Sequence, residues 1–178
     1  DFIEGGTGND FVIGGSGDDL FIATEGDGDD AYYGDDLSGG IGNDTLDMSR
    51  ILENVTVDLG SSESGRGYAT SESSGSDTLW SIENFLGGSG DDVITAGRSQ
   101  NMMDGGDGND TYRFLSAEDA DGDTIGSFQP GDKIDLEQID ANGAGRGNGS
   151  FKLVTDEFSK SGQLLVSHET GANGDMTV

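Results

Sequence analysis

Six segments of this chain share one pattern of glycine and aspartate, and each is followed by a short apolar stretch. Gly5-Gly6-Thr7-Gly8-Asn9-Asp10 precedes Phe11-Val12-Ile13, and nine residues later Gly14-Gly15-Ser16-Gly17-Asp18-Asp19 precedes Leu20-Phe21-Ile22. The other copies are Glu25-Gly26-Asp27-Gly28-Asp29-Asp30, Gly39-Gly40-Ile41-Gly42-Asn43-Asp44, Gly87-Gly88-Ser89-Gly90-Asp91-Asp92 and Gly105-Gly106-Asp107-Gly108-Asn109-Asp110. Two places after each final Asp stands an apolar or aromatic residue: Val12, Phe21, Tyr32, Leu46, Ile94 or Tyr112. A solvated glycine-aspartate linker does not keep apolar residues in phase with its turns, so the repeats predict structure. Ala96 to Asn101 keeps the register in degenerate form, with Asn101 in place of Asp.

The pattern carries a specific chemistry. Glycine lets the backbone enter turn conformations closed to other residues. Such turns aim peptide carbonyls inward, and the final Asp adds a carboxylate. Ca²⁺ takes six to eight hard oxygen ligands at about 2.3–2.6 Å. One turn cannot supply that many, but two stacked turns can.

The segments resemble the G-G-x-G-x-D-x-U-x nonapeptide of the RTX (repeats-in-toxin) family. That resemblance implies an all-β fold, a right-handed parallel β-roll in which two nonapeptides make one coil and Ca²⁺ sits between turns one coil apart. The copies starting at 87 and 105 are 18 residues apart, so Asp92 and Asp110 are expected to share an ion. With small insertions, Asp10 is expected to stack with Asp30, and Asp19 with Asp44. Asp1-Phe2-Ile3-Glu4 fits the tail of an earlier repeat, so Asp1 is expected to complete a site with Asp19, and the chain is expected to be a piece of a larger protein. The candidate ligands are thus Asp1; Gly5, Gly6, Gly8 and Asp10; Gly14, Gly15, Gly17 and Asp19; Gly26, Gly28 and Asp30; Gly40, Gly42 and Asp44; Gly87, Gly88, Gly90 and Asp92; and Gly105, Gly106, Gly108 and Asp110. Roughly three to six Ca²⁺ ions are expected on these ligands.

Charge sharpens the expectation. Acidic residues number 36 against 8 basic ones, for a formal net charge of −28. High charge with a thin apolar core marks a chain that does not fold unaided. A cation that binds only the folded state relieves this by mass action. The same charge disfavours nucleic acid and anionic lipid as partners. Cysteine is absent, which excludes disulfides and Cys-based zinc sites. No apolar stretch is long enough to span a membrane as a helix.

The chain divides into an RTX block at 1–47, an irregular segment at 48–86, a second RTX block at 87–113 and a capping region at 114–178. In the irregular segment Asn54 to Leu59 alternates as a strand does. Ser61 to Ser76 is expected to be a mobile loop within extra β-coils. Asp77-Thr78-Leu79-Trp80-Ser81-Ile82-Glu83-Asn84 resembles a segment joining blocks of RTX repeats, with Leu79, Ile82 and Phe85 inward. Trp80 is expected to cap or pack the core, with ligand stacking as the alternative.

Beyond residue 110 the apolar runs Tyr112 to Leu115, Phe128 to Leu136, Ile139 to Asn142, Phe151 to Leu153 and Phe158 to Val166 resemble the C-terminal region of serralysin-type metalloproteases and, in part, modules of mannuronan epimerases. A solenoid needs such a cap to cover its last coil. Asp119-Ala120-Asp121-Gly122-Asp123 begins like an EF-hand, but Thr124 and Pro130 stand where that loop needs Gly and Glu. The run is expected to be a solvated turn, with a loop near calcium as the alternative. Asp175 to Val178 resembles the acidic-then-apolar end of some RTX secretion signals and equally an internal strand of the cap, and the strand is the expectation.

No catalytic set emerges. His168 is the single histidine and is expected on a surface strand, and no H-E-x-x-H or G-x-S-x-G occurs. The expected function is a non-enzymatic calcium-binding module that folds on Ca²⁺ outside a Gram-negative cell, serves a type I secretion apparatus and stabilises a larger secreted enzyme or adhesin. The alternative is a module that binds polysaccharide or a cell surface through Trp80, Tyr32, Tyr33, Tyr68 and Tyr112.

Overall fold

A computed structural model describes residues 1–36, 41–62, 64–139 and 164–166. Its described elements are all strands: β1 (Phe2–Glu4), β2 (Phe11–Gly15), β3 (Leu20–Ile22), β4 (Ala31–Asp35), β5 (Thr45–Asp47), β6 (Thr56–Asp58), β7 (Arg66–Ser71), β8 (Gly75–Trp80), β9 (Asn84–Leu86), β10 (Val93–Thr95), β11 (Met102–Asp104), β12 (Thr111–Arg113), β13 (Asp123–Gly126), β14 (Lys133–Asp135) and β15 (Leu164–Val166). They form a seven-stranded sheet in the order β1-β3-β5-β9-β11-β13-β15 and an eight-stranded sheet in the order β14-β12-β10-β6-β7-β8-β4-β2. The chain alternates between the two, so the architecture is the parallel β-solenoid that the repeats imply.

The nonapeptide dictates this directly. Each turn ends in Asp, and three residues of strand follow before the next turn begins. The middle residue of each strand points inward. In the seven-stranded sheet these residues stack as Ile3, Phe21, Leu46, Phe85, Met103 and Ile125. In the other sheet Val12, Tyr32 and Leu79 form one row and Val57, Ile94, Tyr112 and Ile134 another. Together they make one narrow core, and Leu79, Ile82 and Phe85 are buried in it.

The solenoid departs from regular coiling between β5 and β9. After β5 the chain skips the place beside β4 and forms β6 further along the eight-stranded sheet. It then returns through β7, antiparallel to both neighbours, and β8 fills the place beside β4. β9 then pairs with β5, and β10 with β6. The stretch 61–76 is therefore not a mobile loop, since it holds β7 and the start of β8. The segment forms an antiparallel meander rather than additional coils. Alternation is the physical reason: Gly67 and Ala69 face inward between exposed Arg66 and Tyr68, a period of two that polar composition hides. Trp80 is not a cap. It lies mid-sheet on the outer face, half-buried, its ring stacked on Tyr33 at 6.0 Å and 13°.

β13 and β14 continue the two sheets past residue 113, and Phe128 packs on Tyr112. β15 adds to β13 antiparallel. His168, the runs at 140–142 and 151–153, most of 158–166 and the segment 175–178 lie outside the described residues.

Glycine is required where a coil nearly touches its neighbour. Gly28 has φ +118, and a Cβ there would sit 2.6 Å from the Gly8 carbonyl oxygen of the coil beneath. Gly26 has φ +77 but faces open space. Left-handed backbone costs a non-glycine residue about 1–2 kcal/mol. Gly26→Ala should lose about that much in a denaturant titration with calcium present. Gly28→Ala should lose measurably more, because the coils must also separate; equal losses would mean that the close approach carries no cost.

Candidate metal centre

Most of the described turns deliver a final acidic residue to one of two edges of the roll, just before a strand begins. At each edge the backbone N–H of that residue donates to the side chain of the equivalent residue on the next coil. On the edge leading into the seven-stranded sheet, the Asp19 N–H donates to Asp44 Oδ1 at 2.9 Å, the Asp44 N–H to Glu83 Oε2 at 2.9 Å and the Asn101 N–H to Asp123 Oδ1 at 2.8 Å. The amine of Asp1 donates to Asp19 Oδ1 at 2.7 Å. On the other edge, the Asp10 N–H donates to Asp30 Oδ1 at 2.8 Å and the Asp30 N–H to Asp77 Oδ1 at 2.9 Å. Beyond the meander the Val55 N–H donates to Asp92 Oδ1 at 2.8 Å, the Asp92 N–H to Asp110 Oδ1 at 2.9 Å and the Asp110 N–H to Asp132 Oδ1 at 2.9 Å.

This ladder uses one oxygen of each carboxylate. The second is left over in most of them. Among the described residues, seven carboxylate oxygens are shielded from solvent and lack a hydrogen-bond partner: Oδ2 of Asp19, Asp44, Asp77, Asp92, Asp110 and Asp123, and Oδ1 of Asp35. A buried acceptor left without a partner costs about 1–3 kcal/mol, and more when it is charged, so seven of them together rival the ~5–15 kcal/mol of a whole domain's stability. The arrangement demands a counter-charge.

The glycines show where that charge fits. A Cβ on Gly14 would meet Asp19 Oδ2 and, at 2.7 Å, the Gly34 carbonyl oxygen of the next coil. On Gly87 it would meet Asp92 Oδ2 at 2.5 Å and the Gly105 carbonyl oxygen. On Gly105 it would meet Asp110 Oδ2, and on Gly5 it would lie 3.3 Å from Asp10 Oδ2 and 3.5 Å from Asp30 Oδ2. At Gly14 and Gly87, bare glycine thus leaves an unpartnered carboxylate oxygen and a carbonyl oxygen of the next coil facing one narrow gap. No three His, Cys, Asp or Glu side chains converge on one metal-sized point among the described residues. An ion held here draws most of its ligands from backbone carbonyls, and a hard, oxygen-seeking cation of flexible geometry suits that donor set.

The candidate residues do not all sit alike. Gly6, Gly8, Gly15, Gly17, Gly26, Gly28, Gly106 and Gly108 have positive φ, whereas Gly42, Gly88 and Gly90 do not. The turn at 87–92 packs on the 105–110 repeat on one side and on Ile51 and Glu53 on the other, and a Cβ on Gly88 or Gly90 would strike the backbone of Ile51 or Glu53. Gly40 lies outside the described residues. Asp30 Oδ2 already accepts from the Tyr32 hydroxyl at 2.8 Å. Asp132 Oδ2 accepts the Gln129 N–H at 2.6 Å, and Gln129 Nε2 donates to the Gly106 carbonyl at 2.6 Å. That glutamine closes the ladder with neutral groups.

Asp35, Asp77, Glu83, Asp123 and Asp132 join the ladders or their hollows although they lie outside the nonapeptides. The run 119–123 is not a solvated turn, since Asp119 and Asp123 are buried. Tyr32 and Tyr112 are buried too, which removes them as surface aromatics. The Tyr112 hydroxyl instead accepts the Gly105 N–H at 2.9 Å.

Burial first, and neighbouring carboxylates second, push these acids upward. Asp44 and Asp110 rise to about 6, and Asp77, Asp92 and Asp123 to about 7. An acid whose pKa is higher folded than unfolded, where it is near 3.8, favours the fold at low pH and loses that contribution as pH rises through the folded value. Metal-free protein should therefore gain β structure as pH falls from about 8 toward about 4. Calcium should bind more weakly over the same interval, because binding must displace protons. Circular dichroism in metal-stripped buffer checks the first point; less β structure on acidification would overturn it.

Comparison with known families agrees with this geometry. The profile of the family described as Peptidase M10 serralysin C terminal matches residues 37–177. The profile described as RTX calcium-binding nonapeptide repeat, in four copies, matches residues 1–30. No curated protein matches the chain.

Proposed function

The chain belongs to the peptidase M10 serralysin C-terminal family, and from that premise we propose that it is a folding module that calcium switches on outside the cell. Its RTX repeats are calcium-binding. The single observation that carries the reading is the row of shielded carboxylate oxygens with no partner. They make the folded state costly without a cation and favourable with one.

The ions are assigned to hollows between successive coils, with Asp19, Asp44, Asp92 and Asp110 as carboxylate ligands and glycine carbonyls completing each shell. Asp10 and Asp30 form a further step, and Glu83 extends the first edge. Calcium supplies the charge and the coordination that hold the two edges shut; the chain itself supplies the hydrogen-bonded ladder and the core.

Location follows from concentration. Extracellular calcium modules bind at ~10⁻⁴–10⁻³ M. At cytosolic calcium the chain stays expanded, and export into millimolar calcium closes it. An expanded chain suits a type I secretion channel, and the folded module then stabilises the secreted protein that carries it. We assign no catalysis to these residues. Among the described residues no helix is long and apolar enough to cross a membrane. Trypsin digestion tests the proposal: the chain should be cleaved rapidly in chelator and resist in millimolar calcium, and equal digestion in both would reject it.

A further inference from the structure

The meander also shapes the outside of the roll. Strands β7, β8, β4 and β2 lie side by side in the eight-stranded sheet. Two rows of outward side chains cross them. Tyr68 and Phe11 end the first row, and the second runs from Arg66 through Trp80 and Tyr33 to Ile13. Phe11 is 62% exposed, Tyr68 44% and Ile13 39%. The Phe11 ring lies 4.8 Å from Tyr33, and Tyr33 lies 6.0 Å from Trp80, so three rings make one continuous apolar strip.

Charge and size together narrow what such a face can hold. Acids make up 36 of the 178 residues, yet neither row contains one. Arg66 is the single charged member, and its Nη2 donates to Thr78 Oγ1 at 3.1 Å. A polyanion would meet one guanidinium here against a net charge of −28 on the chain. Four strands ~4.8 Å apart, with outward positions spread over about three to five residues at ~3.3 Å each, give a footprint of ~200–300 Å². A stable dimer covers about 800 Å² on each partner, so a second copy finds too little surface. β7, β8 and β4 each have a neighbour on both sides, and an extended peptide finds no main-chain edge on them. The occupant that fits is narrow, uncharged and amphipathic.

We infer that this outer face binds an uncharged polysaccharide chain. Sugar rings lay their C–H faces on the strip of Phe11, Tyr33 and Trp80 and on Tyr68, rigid side chains that offer apolar area beside a polar handle. Sugar hydroxyls meet the hydroxyls of Tyr68 and Thr78 and the guanidinium of Arg66. The saccharide runs across the strands, along the axis of the roll. The inference needs the roll folded, but no particular ion assignment.

Trp80 is the sole tryptophan of the chain and stands in the second row, so its fluorescence reads the binding. The intact chain in millimolar calcium is titrated with cellohexaose, mannohexaose and maltohexaose, and with a β-1,4-glucuronate hexamer as the charged counterpart. Circular dichroism of every sample separates a failure to fold from a failure to bind. At least one uncharged hexasaccharide should give a saturable change, and the glucuronate hexamer should bind at least about tenfold more weakly, because like charges brought together are costly. Phe11→Thr and Tyr68→Thr, at opposite ends of the first row, should each weaken binding by about two- to tenfold, the worth of one aromatic contact, with β content unchanged. No saturable change with any uncharged hexasaccharide, wild-type affinity in both variants, or equal binding of the glucuronate hexamer would overturn the inference. So would self-association in sedimentation that both variants abolish, since the face would then belong to a second copy.

Discussion

Replacing Asp110 with asparagine should weaken the calcium-loaded protein and strengthen the metal-free one. Asp110 does two things at once. Its Oδ1 accepts the Asp92 N–H at 2.9 Å, which locks two coils in register. Its Oδ2 is shielded and unpartnered, with the charges of Asp132, Asp91 and Asp104 nearby. Asparagine keeps the carbonyl acceptor and replaces the second oxygen with an uncharged NH2 group that cannot ligate calcium. In calcium the affinity of that ion should fall by at least about tenfold, since even outer-shell partners are worth ~10–100-fold. In metal-free buffer the variant removes a buried like-charge conflict, so the pH needed to recover β structure should rise. Asp92→Asn should behave alike, because Asp92 is buried with its own unpartnered Oδ2. Asp107→Asn, exposed in the same turn, should do neither. Calcium titrations followed by circular dichroism separate the cases. Equal destabilisation of Asp110→Asn with and without calcium would mean that the carboxylate is only a structural acceptor.

The sign of that effect is the reason to prefer a ligand role over an ordinary hydrogen-bond role. A residue that only stitches coils together stabilises both states. A ligand stabilises one and burdens the other. Tyr112 shows the first kind, since its buried hydroxyl meets the Gly105 N–H and carries no charge. Asp110 is the second kind, two residues away.

Much of this was legible before any coordinates. The apolar residue two places after each Asp marks the core, and Phe21, Tyr32, Leu46, Ile94 and Tyr112 are fully buried there. The stacked pairs followed from the two-repeat coil that the resemblance implies, with a step of 18 residues for Asp92 and Asp110 and insertions that lengthen it to 20 for Asp10 and Asp30 and 25 for Asp19 and Asp44. The meander was not legible in the same way. Ser61 to Ser76 looks like a loop by composition, and only the inward alternation of Gly67, Ala69, Asp77 and Leu79 betrays two strands. That alternation is weak, because one of its inward members is glycine and another is a carboxylate. Asp123 and Asp132 were hidden for a different reason. Their turns lack the glycine pattern, yet each lies 22 residues beyond its partner, Asn101 or Asp110. That shared step, seen twice, is the signal that assigns both to the ladders. Asp77 and Glu83 have no such signal, because the chain reaches them only after reversing through β7.

Calcium withdrawal should have the largest effect of all. If each ion is present at about ten times its dissociation constant, it contributes about 1.4 kcal/mol. Three to six ions then supply roughly 4–8 kcal/mol, comparable with the whole stability of a domain of this size, ~5–15 kcal/mol. Removing them also exposes the unpaired carboxylates to one another at a net charge of −28. The narrow core cannot hold against both losses at neutral pH. The decisive measurement is far-ultraviolet circular dichroism of the chain at neutral pH in EGTA and again after calcium is raised to millimolar levels. The account predicts a disordered spectrum that converts to β cooperatively and reverses with chelator; the same β spectrum in both buffers would contradict it.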